Sequence, residues 1–240
     1  MADAQYTKYY VAFLDILGFK KLVNNPEISC EEIINIYDYA LYKHETFFKD
    51  TAGDVRSNIK MKIMSDSICL YIKTDFPDAL LYLAGYCTVF QHDLLLVKNL
   101  LVRGGITSGE MYAKDDIIFG PALTEAYLLE EHNAKFPRII IRKETIDEGT
   151  SGMTKDSLNL IWKFLLRDDD AFYILNYFQL YFLVYPNTAQ SYAKAEETVK
   201  AVKAIVADYL DTTVDESIRQ KYLYIEKKIN RYIFKENPDA

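Results

Sequence analysis

Tyr9 to Leu14 (YYVAFL) is an unbroken apolar and aromatic run ended by Asp15, the pattern of a strand buried on both faces. Gly18 supplies a turn, and Glu31 to Phe48 carries apolar residues at helical spacing, at Ile33, Ile34, Tyr37, Leu41 and Phe48. Asp50 to Asp54 reads as a loop around Gly53. Ile59 to Ser65 and Ser67 to Lys73 read as strands hinged at Asp66, Pro77 to Val97 as a second helix, and Leu100 to Ser108 as the next strand. Glu110 to Asp116 predicts a hairpin bend and Ile117 to Phe119 a short strand. A helix follows from Pro121 to about Asn133, with proline at an early position where its missing N–H costs nothing. Pro137 to Arg142 is a further strand, Glu148 to Lys155 a loop, and two last strands are expected around Trp162 and over Phe172 to Phe178.

The texture changes after Pro186-Asn187. Ala189 to Tyr209 is rich in Ala, Lys and Glu with helical periodicity, and Asp215 to Phe234 repeats the pattern, so a C-terminal helical hairpin is expected. The chain divides into a domain over 1–186 and a helical extension over 187–240. The order β-α-β-β-α-β-α-β is that of a ferredoxin-like α+β sheet with helices on one face.

Charge and cysteine content narrow the function. The net charge of -7 leaves no basic stripe for nucleic acid, and an acidic protein needs a metal to bridge it to an anionic substrate. Cys30, Cys69 and Cys87 lack metal-ligand spacing and read as reduced thiols of a cytoplasmic protein. His44, His92 and His132 are too few and scattered for a histidine metal site, and His92 reads as structural. The opening MADAQYTKYY lacks the basic start and apolar centre of a signal peptide. The longest apolar segment, Ala79 to Val102, is interrupted by Gln91, His92, Asp93 and Lys98, so no membrane span is expected.

Two carboxylates stand out. Asp15 ends the first buried strand and Asp66 sits at a hairpin bend; at the ends of adjacent central strands they can converge on one or two divalent ions. Gly18 lets the main-chain N–H groups of Leu17, Gly18 and Phe19 approach a triphosphate closely. Taken singly, each aspartate also fits an ordinary strand-end turn residue.

Four segments in order resemble the class III nucleotide cyclases. Asp15-Ile16-Leu17-Gly18-Phe19 resembles that family's D-I-x-G-F signature, and Lys62-Ile63-Met64-Ser65-Asp66 its K-I-x-G-D hairpin with serine in place of glycine. Arg103 to Gly109 resembles its R-x-G-I-x-x-G strand, and Phe119-Gly120-Pro121-Ala122 stands where the family begins its W/F-G-x-x-V-N helix. The resemblance implies a class III nucleotidyl cyclase fold. It implies that Asp15, Asp66 and the Ile16 carbonyl hold two Mn²⁺ or Mg²⁺ ions, and that the active sites form in a homodimer. The reaction implied is cyclisation of a nucleoside triphosphate with release of pyrophosphate.

The departures matter too. The purine-reading Asp of the family falls on Ile117, with Asp116 substituting only if the register slips by one, and the helix-borne Asn and Arg fall on Thr124 and Leu128. These losses, with the G-P-A-x-x-x-A-Y-x-L-E run from Gly120 to Glu130, resemble the pyrimidine cyclases of the Pycsar antiphage system. That likeness implies UTP as the favoured substrate, CTP as the alternative, and a separate cyclic-nucleotide-binding effector for the product. Arg103 is then the candidate base reader, or else the partner of a local carboxylate. Lys62 is a candidate for the base or a phosphate. No motif chooses a replacement for the missing arginine among Arg142, Lys143, Lys163 and Arg167.

Overall fold

The computed structural model describes residues 5–47, 55–180 and 189–232. The loop expected at 50–54, Phe48, and the boundary after 186 lie outside them. The elements run β1 (Thr7–Leu17), α1 (Phe19–Val23), α2 (Cys30–Phe47), α3 (Val55–Asn58), β2 (Lys60–Met64), β3 (Ser67–Lys73), α4 (Ala79–Lys98) and β4 (Leu101–Lys114). After these come β5 (Ile117–Phe119), α5 (Pro121–Asn133), β6 (Ile139–Ile141), α6 (Lys143–Thr150), α7 (Lys155–Phe164), β7 (Leu165–Arg167) and β8 (Tyr173–Leu175). A 3-10 turn (Tyr177–Gln179) precedes the helical hairpin of α8 (Ala189–Thr212) and α9 (Glu216–Tyr232).

One α+β sheet results, in the order β2-β3-β1-β4-β6-β8-β7, with β5 paired to β4. The central strand β1 is antiparallel to both β3 and β4, which explains its nearly unbroken burial. Its even-numbered residues Tyr10, Ala12, Leu14 and Ile16 enter the main core beside α2 and α4. Its odd-numbered residues Tyr9, Val11 and Phe13 pack with Ala122 and Ala126 of α5. Helices therefore cover both faces of the sheet, which corrects the one-face arrangement expected from element order.

Four local expectations also change. β1 continues past Asp15 to Leu17, so Asp15 is two residues inside the strand. β4 runs on to Lys114, and the bend is the pair Asp115-Asp116. Glu148 belongs to α6. Trp162 lies in α7: Thr154 caps that helix by accepting from the Ser157 N–H at 3.2 Å, and Ile161 and Phe164 bury at helical spacing. The last strands are the short β7 and β8.

α4 is long and apolar enough by length and composition to cross a membrane, yet 72% of that window is buried inside the fold. His92 is buried on this helix with Nδ1 3.0 Å from Asp93, Cys69 and Cys87 are buried, and Cys30 is exposed.

The C-terminal hairpin docks through an apolar and a charged contact. Tyr222, Ile225 and Ile229 of α9 join Val202 and Val206 of α8 against Leu95, Leu101 and Leu17. Further along α9, Lys228 is fully buried and ion-paired with Asp168, which also accepts from Tyr224 at 2.7 Å and from Arg138 at 2.5 Å. Burial raises the Asp168 carboxyl, but the bonds from Lys228, Tyr224, the Asp169 N–H and Arg138 outweigh it and hold the group below its ordinary value.

Candidate active site

The β2–β3 turn is Ser65-Asp66, with Met64 opposite Ser67. Ser65 has φ +57°, a left-handed conformation that glycine adopts without the Cβ penalty, which accounts for glycine at this place in the resembling signature. The turn is tied at two points: the Tyr37 hydroxyl donates to the Ser65 carbonyl at 2.8 Å, and the Ile16 N–H donates to the Asp66 carbonyl at 2.9 Å. The second bond joins the two candidate metal-holding segments through their backbones.

Asp15, Ser67 and Arg103 share one row of the sheet. Asp15 is half-buried; burial pushes its carboxyl above the ordinary value, the Arg103 hydrogen bond and charge oppose this, and the nearby Asp66 charge adds to the rise. The Asp66 side chain has no hydrogen-bonding or ion-pair partner among the described residues. Ile16 buries its side chain in the core, so only its main chain is offered to the site. Gly18 takes φ +83° and heads α1, beside Leu17 and Phe19, whose ring is buried against Tyr37.

α5 is laid on β4 in a fixed register. The Thr107 hydroxyl donates to the Ala122 carbonyl at 3.0 Å, and a Cβ on Gly105 would stand 2.8 Å from the Ala126 carbonyl. Four helical residues advance about 6 Å and two strand residues about 6.8 Å, so the next step of this register brings Glu130 over Arg103. Arg103 Nε donates to Asp15 Oδ2 at 3.0 Å and lies 2.6 Å from Glu130 Oε1. Glu130 is 3% exposed, and burial, followed by the opposing charge of Arg103, leaves its carboxyl raised to about 7.

Lys62 lies on the same face as Asp15, two residues along and across β3 and β1. Its ammonium pairs with Asp116 at 2.8 Å. It also lines an open cleft of about 450 Å³ with Lys60, Lys73, Lys114 and the Tyr9 and Tyr71 rings. Among the described residues, Lys60, Lys73 and Lys114 have no carboxylate partner, so the cleft, which Asp115 also lines, is net positive on an otherwise acidic protein.

No protein-family profile and no curated protein matches the sequence. Solved structures do match. The guanylyl cyclase domain, described as monomeric, of the RhoGC fusion protein from the aquatic fungus Blastocladiella emersonii superposes with a TM-score of 0.52 at 15% identity, over 71% of this chain and 95% of that one. The fold is that of the class III nucleotide cyclases. The adenylyl cyclase CyaB from P. aeruginosa is also similar, with a TM-score of 0.48 at 18% identity over 62% of this chain and 83% of that one.

Within this cyclase fold, the donors at Asp15 and Asp66 are hard carboxylate oxygens suited to Mg²⁺ or Mn²⁺. Among the described residues no three His, Cys, Asp or Glu side chains are grouped to hold an ion alone. Arg103 stands between Asp15 and Glu130, with its terminal nitrogens unpartnered among the described residues. Arg142 pairs with Glu125 and Lys143 with Asp147, on the surface.

Two residues of the site went unread in the sequence. Glu130 interrupts the buried stripe of Ala122, Ala126 and Leu129, and a carboxylate in such a stripe is a legible signal. Lys221 of α9 carried none. It is half-buried, held below the usual lysine range by burial and by Arg103, and its charge and that of Asp15 act on each other. Lys21, just past Gly18, pairs with Asp215 at 3.5 Å and pins the start of α9 over this end of the sheet.

Proposed function

We propose that the chain is a cytoplasmic, metal-dependent nucleotide cyclase that works as a homodimer and converts UTP to 3′,5′-cyclic UMP and pyrophosphate. In this reading residues 1–186 form the catalytic domain and 187–240 a docked extension. The observation that carries it is the Ile16–Asp66 backbone bond, which holds the Asp15 segment beside Asp66, whose side chain has no partner among the described residues, next to the left-handed Gly18. In the reaction the ribose 3′-oxygen bonds to the α-phosphorus, the α–β bridging P–O bond breaks, and pyrophosphate leaves as the hydroxyl proton is released. Bound divalent ions, held by Asp15, Asp66 and the Ile16 carbonyl, would acidify that hydroxyl and offset the triphosphate charge. The main-chain N–H groups of Leu17, Gly18 and Phe19 border the phosphates.

The pyrimidine preference rests on Ile117, exposed where purine cyclases carry a base-reading Asp, on Leu128, exposed where they carry a helix-borne arginine, and on Arg103 as a donor to uracil or, from its place beside Asp15, to a phosphate. A purine reading is favoured by one observation: Asp116 already pairs with Lys62, one residue before the expected acidic position. Dimerisation is supported by exposed Ile117 and Phe119 on the β4–β5 hairpin, with Tyr6 packed on Phe119, and by exposed Tyr127 and Leu128 on α5. If the antiphage likeness extends to this chain, the product signals to a separate effector.

The test is incubation of the protein with each of the four ribonucleoside triphosphates and Mn²⁺ or Mg²⁺, with products read by mass. Cyclic UMP is expected. Cyclic CMP would move the substrate within the pyrimidines, and cyclic AMP or GMP would give weight to the Lys62–Asp116 pair. No cyclic product with either metal would leave a cyclase-fold binding protein.

A further inference from the structure

Arg103 has one Nε–H and two carboxylates competing for it. The hydrogen bond goes to Asp15 Oδ2; Glu130 Oε1, although 2.6 Å from the same nitrogen, accepts no hydrogen bond. Glu130's side chain is 4% exposed. An oxygen so buried and left without a donor is costly, and Oε1 itself has no surface open to water. Nor can it withdraw, because the Thr107–Ala122 bond and the close approach at Gly105 fix α5 on the sheet.

We infer that Glu130 is a positioning residue that receives the Arg103 guanidinium when a divalent cation binds at Asp15. This rests on the cyclase reading for the place of the metal. The Arg103 hydrogen bond occupies a lone pair of Asp15 Oδ2 and sets a positive charge beside it, so an arginine with nowhere else to pair competes with a cation for that carboxylate. Glu130 supplies the other seat about one hydrogen-bond length away. With the transfer made, Asp15 is free to ligate, the buried carboxylate gains its donor, and Arg103 stays at the site with its terminal nitrogens available to the substrate. Asp66 and Glu131 add negative charge beside the exchange, and Lys221, itself flanked by Asp215 and Lys21, adds positive charge.

The experiment is Mn²⁺ binding to the full chain without nucleotide, followed by electron paramagnetic resonance, in a double-mutant cycle. Glu130→Gln keeps the volume and removes the seat, so Mn²⁺ binding is expected to weaken by at least about tenfold, the usual cost of losing a partner behind a metal ligand. With Arg103→Gln already present, Glu130→Gln is expected to change binding by less than about twofold, because the competitor is gone. Equal losses in both backgrounds would mean that Glu130 acts only as a distant charge and would overturn the inference. So would unchanged binding in Glu130→Gln alone, or no Mn²⁺ binding by the parent chain. Glu130→Asp, which withdraws the carboxylate by one methylene, gives a second arm with an intermediate loss expected if Glu130→Gln fails to fold. The parent chain's turnover of the four triphosphates tests the cyclase reading separately: cyclic product without the coupling sinks the role of Glu130 and leaves the enzyme standing.

Discussion

Asp66 has no side-chain partner among the described residues, so changing it disturbs chemistry more than packing. Asp66→Asn should lower turnover at least about 100-fold, at the lower bound of what losing a positioned charge stabiliser costs, with the thermal midpoint unchanged by circular dichroism. Retained turnover would remove the two-carboxylate mechanism. Ser65→Gly is expected to leave activity intact and to leave stability equal or raised by up to about 1 kcal/mol, since it relieves a left-handed serine while adding chain entropy. Glu130 makes a pH prediction. A carboxyl raised in the native state holds its proton more tightly when folded, so its contribution is most favourable below the unfolded value of 4.5 and is lost as pH climbs through about 7. The loss is on the order of 3 kcal/mol, and chemical denaturation across that range should show it in the parent chain and not in Glu130→Gln. The residues that could be read directly were those whose chemistry is local: Asp15, Asp66 and Gly18 stand in short motifs. Glu130 was legible only as a fault in an apolar stripe. Lys221 was not legible at all, because its neighbour Asp15 is far away in sequence and only the packing of α9 on Leu17 joins them.

At the scale of elements, the contact of α5 with β4 sets the distance from Arg103 to Glu130. Gly105→Ala would place a methyl against the Ala126 carbonyl and the Leu129 side chain, and backbone cannot yield as a flexible side chain can. A loss of about 1–3 kcal/mol is expected from this overpacking, with a fall in turnover larger than the stability change explains. Activity preserved alongside a lowered midpoint would separate the register from the chemistry. Periodicity located most elements, but strand lengths and two assignments went astray for physical reasons. β1 runs beyond its apolar core because β4 pairs with Thr7, Lys8, Ile16 and Leu17, and β4 runs on because first β1 and then β5 pairs with its later residues. The Trp162 segment is short and apolar, which periodicity alone does not separate into helix or strand; the Thr154 cap decides it.

For the whole molecule, a homodimer implies that specific activity per chain falls on dilution and that Phe119→Asp, in the exposed hairpin patch, sediments as a monomer without turnover. A fully active monomer would place the complete site within one chain. The hairpin of α8 and α9 should respond to acid. Because Asp168 is held below its ordinary value, its contribution is present above the unfolded value of 3.8 and is lost as pH falls below it, where α9 loosens before the central sheet. Lys228→Met should cost about 3 kcal/mol, as expected when one partner of a buried ion pair is removed. The enclosure of Lys228 also equips the protein with its own gauge. An amine-reactive reagent can reach that lysine only in molecules whose last helix has lifted, whereas the exposed neighbour Lys227 is modified in every molecule. Both lie in one stretch of chain, so the ratio of their labels in a single mass spectrum reads the opening frequency of the hairpin without a mutation, a dye or a tag.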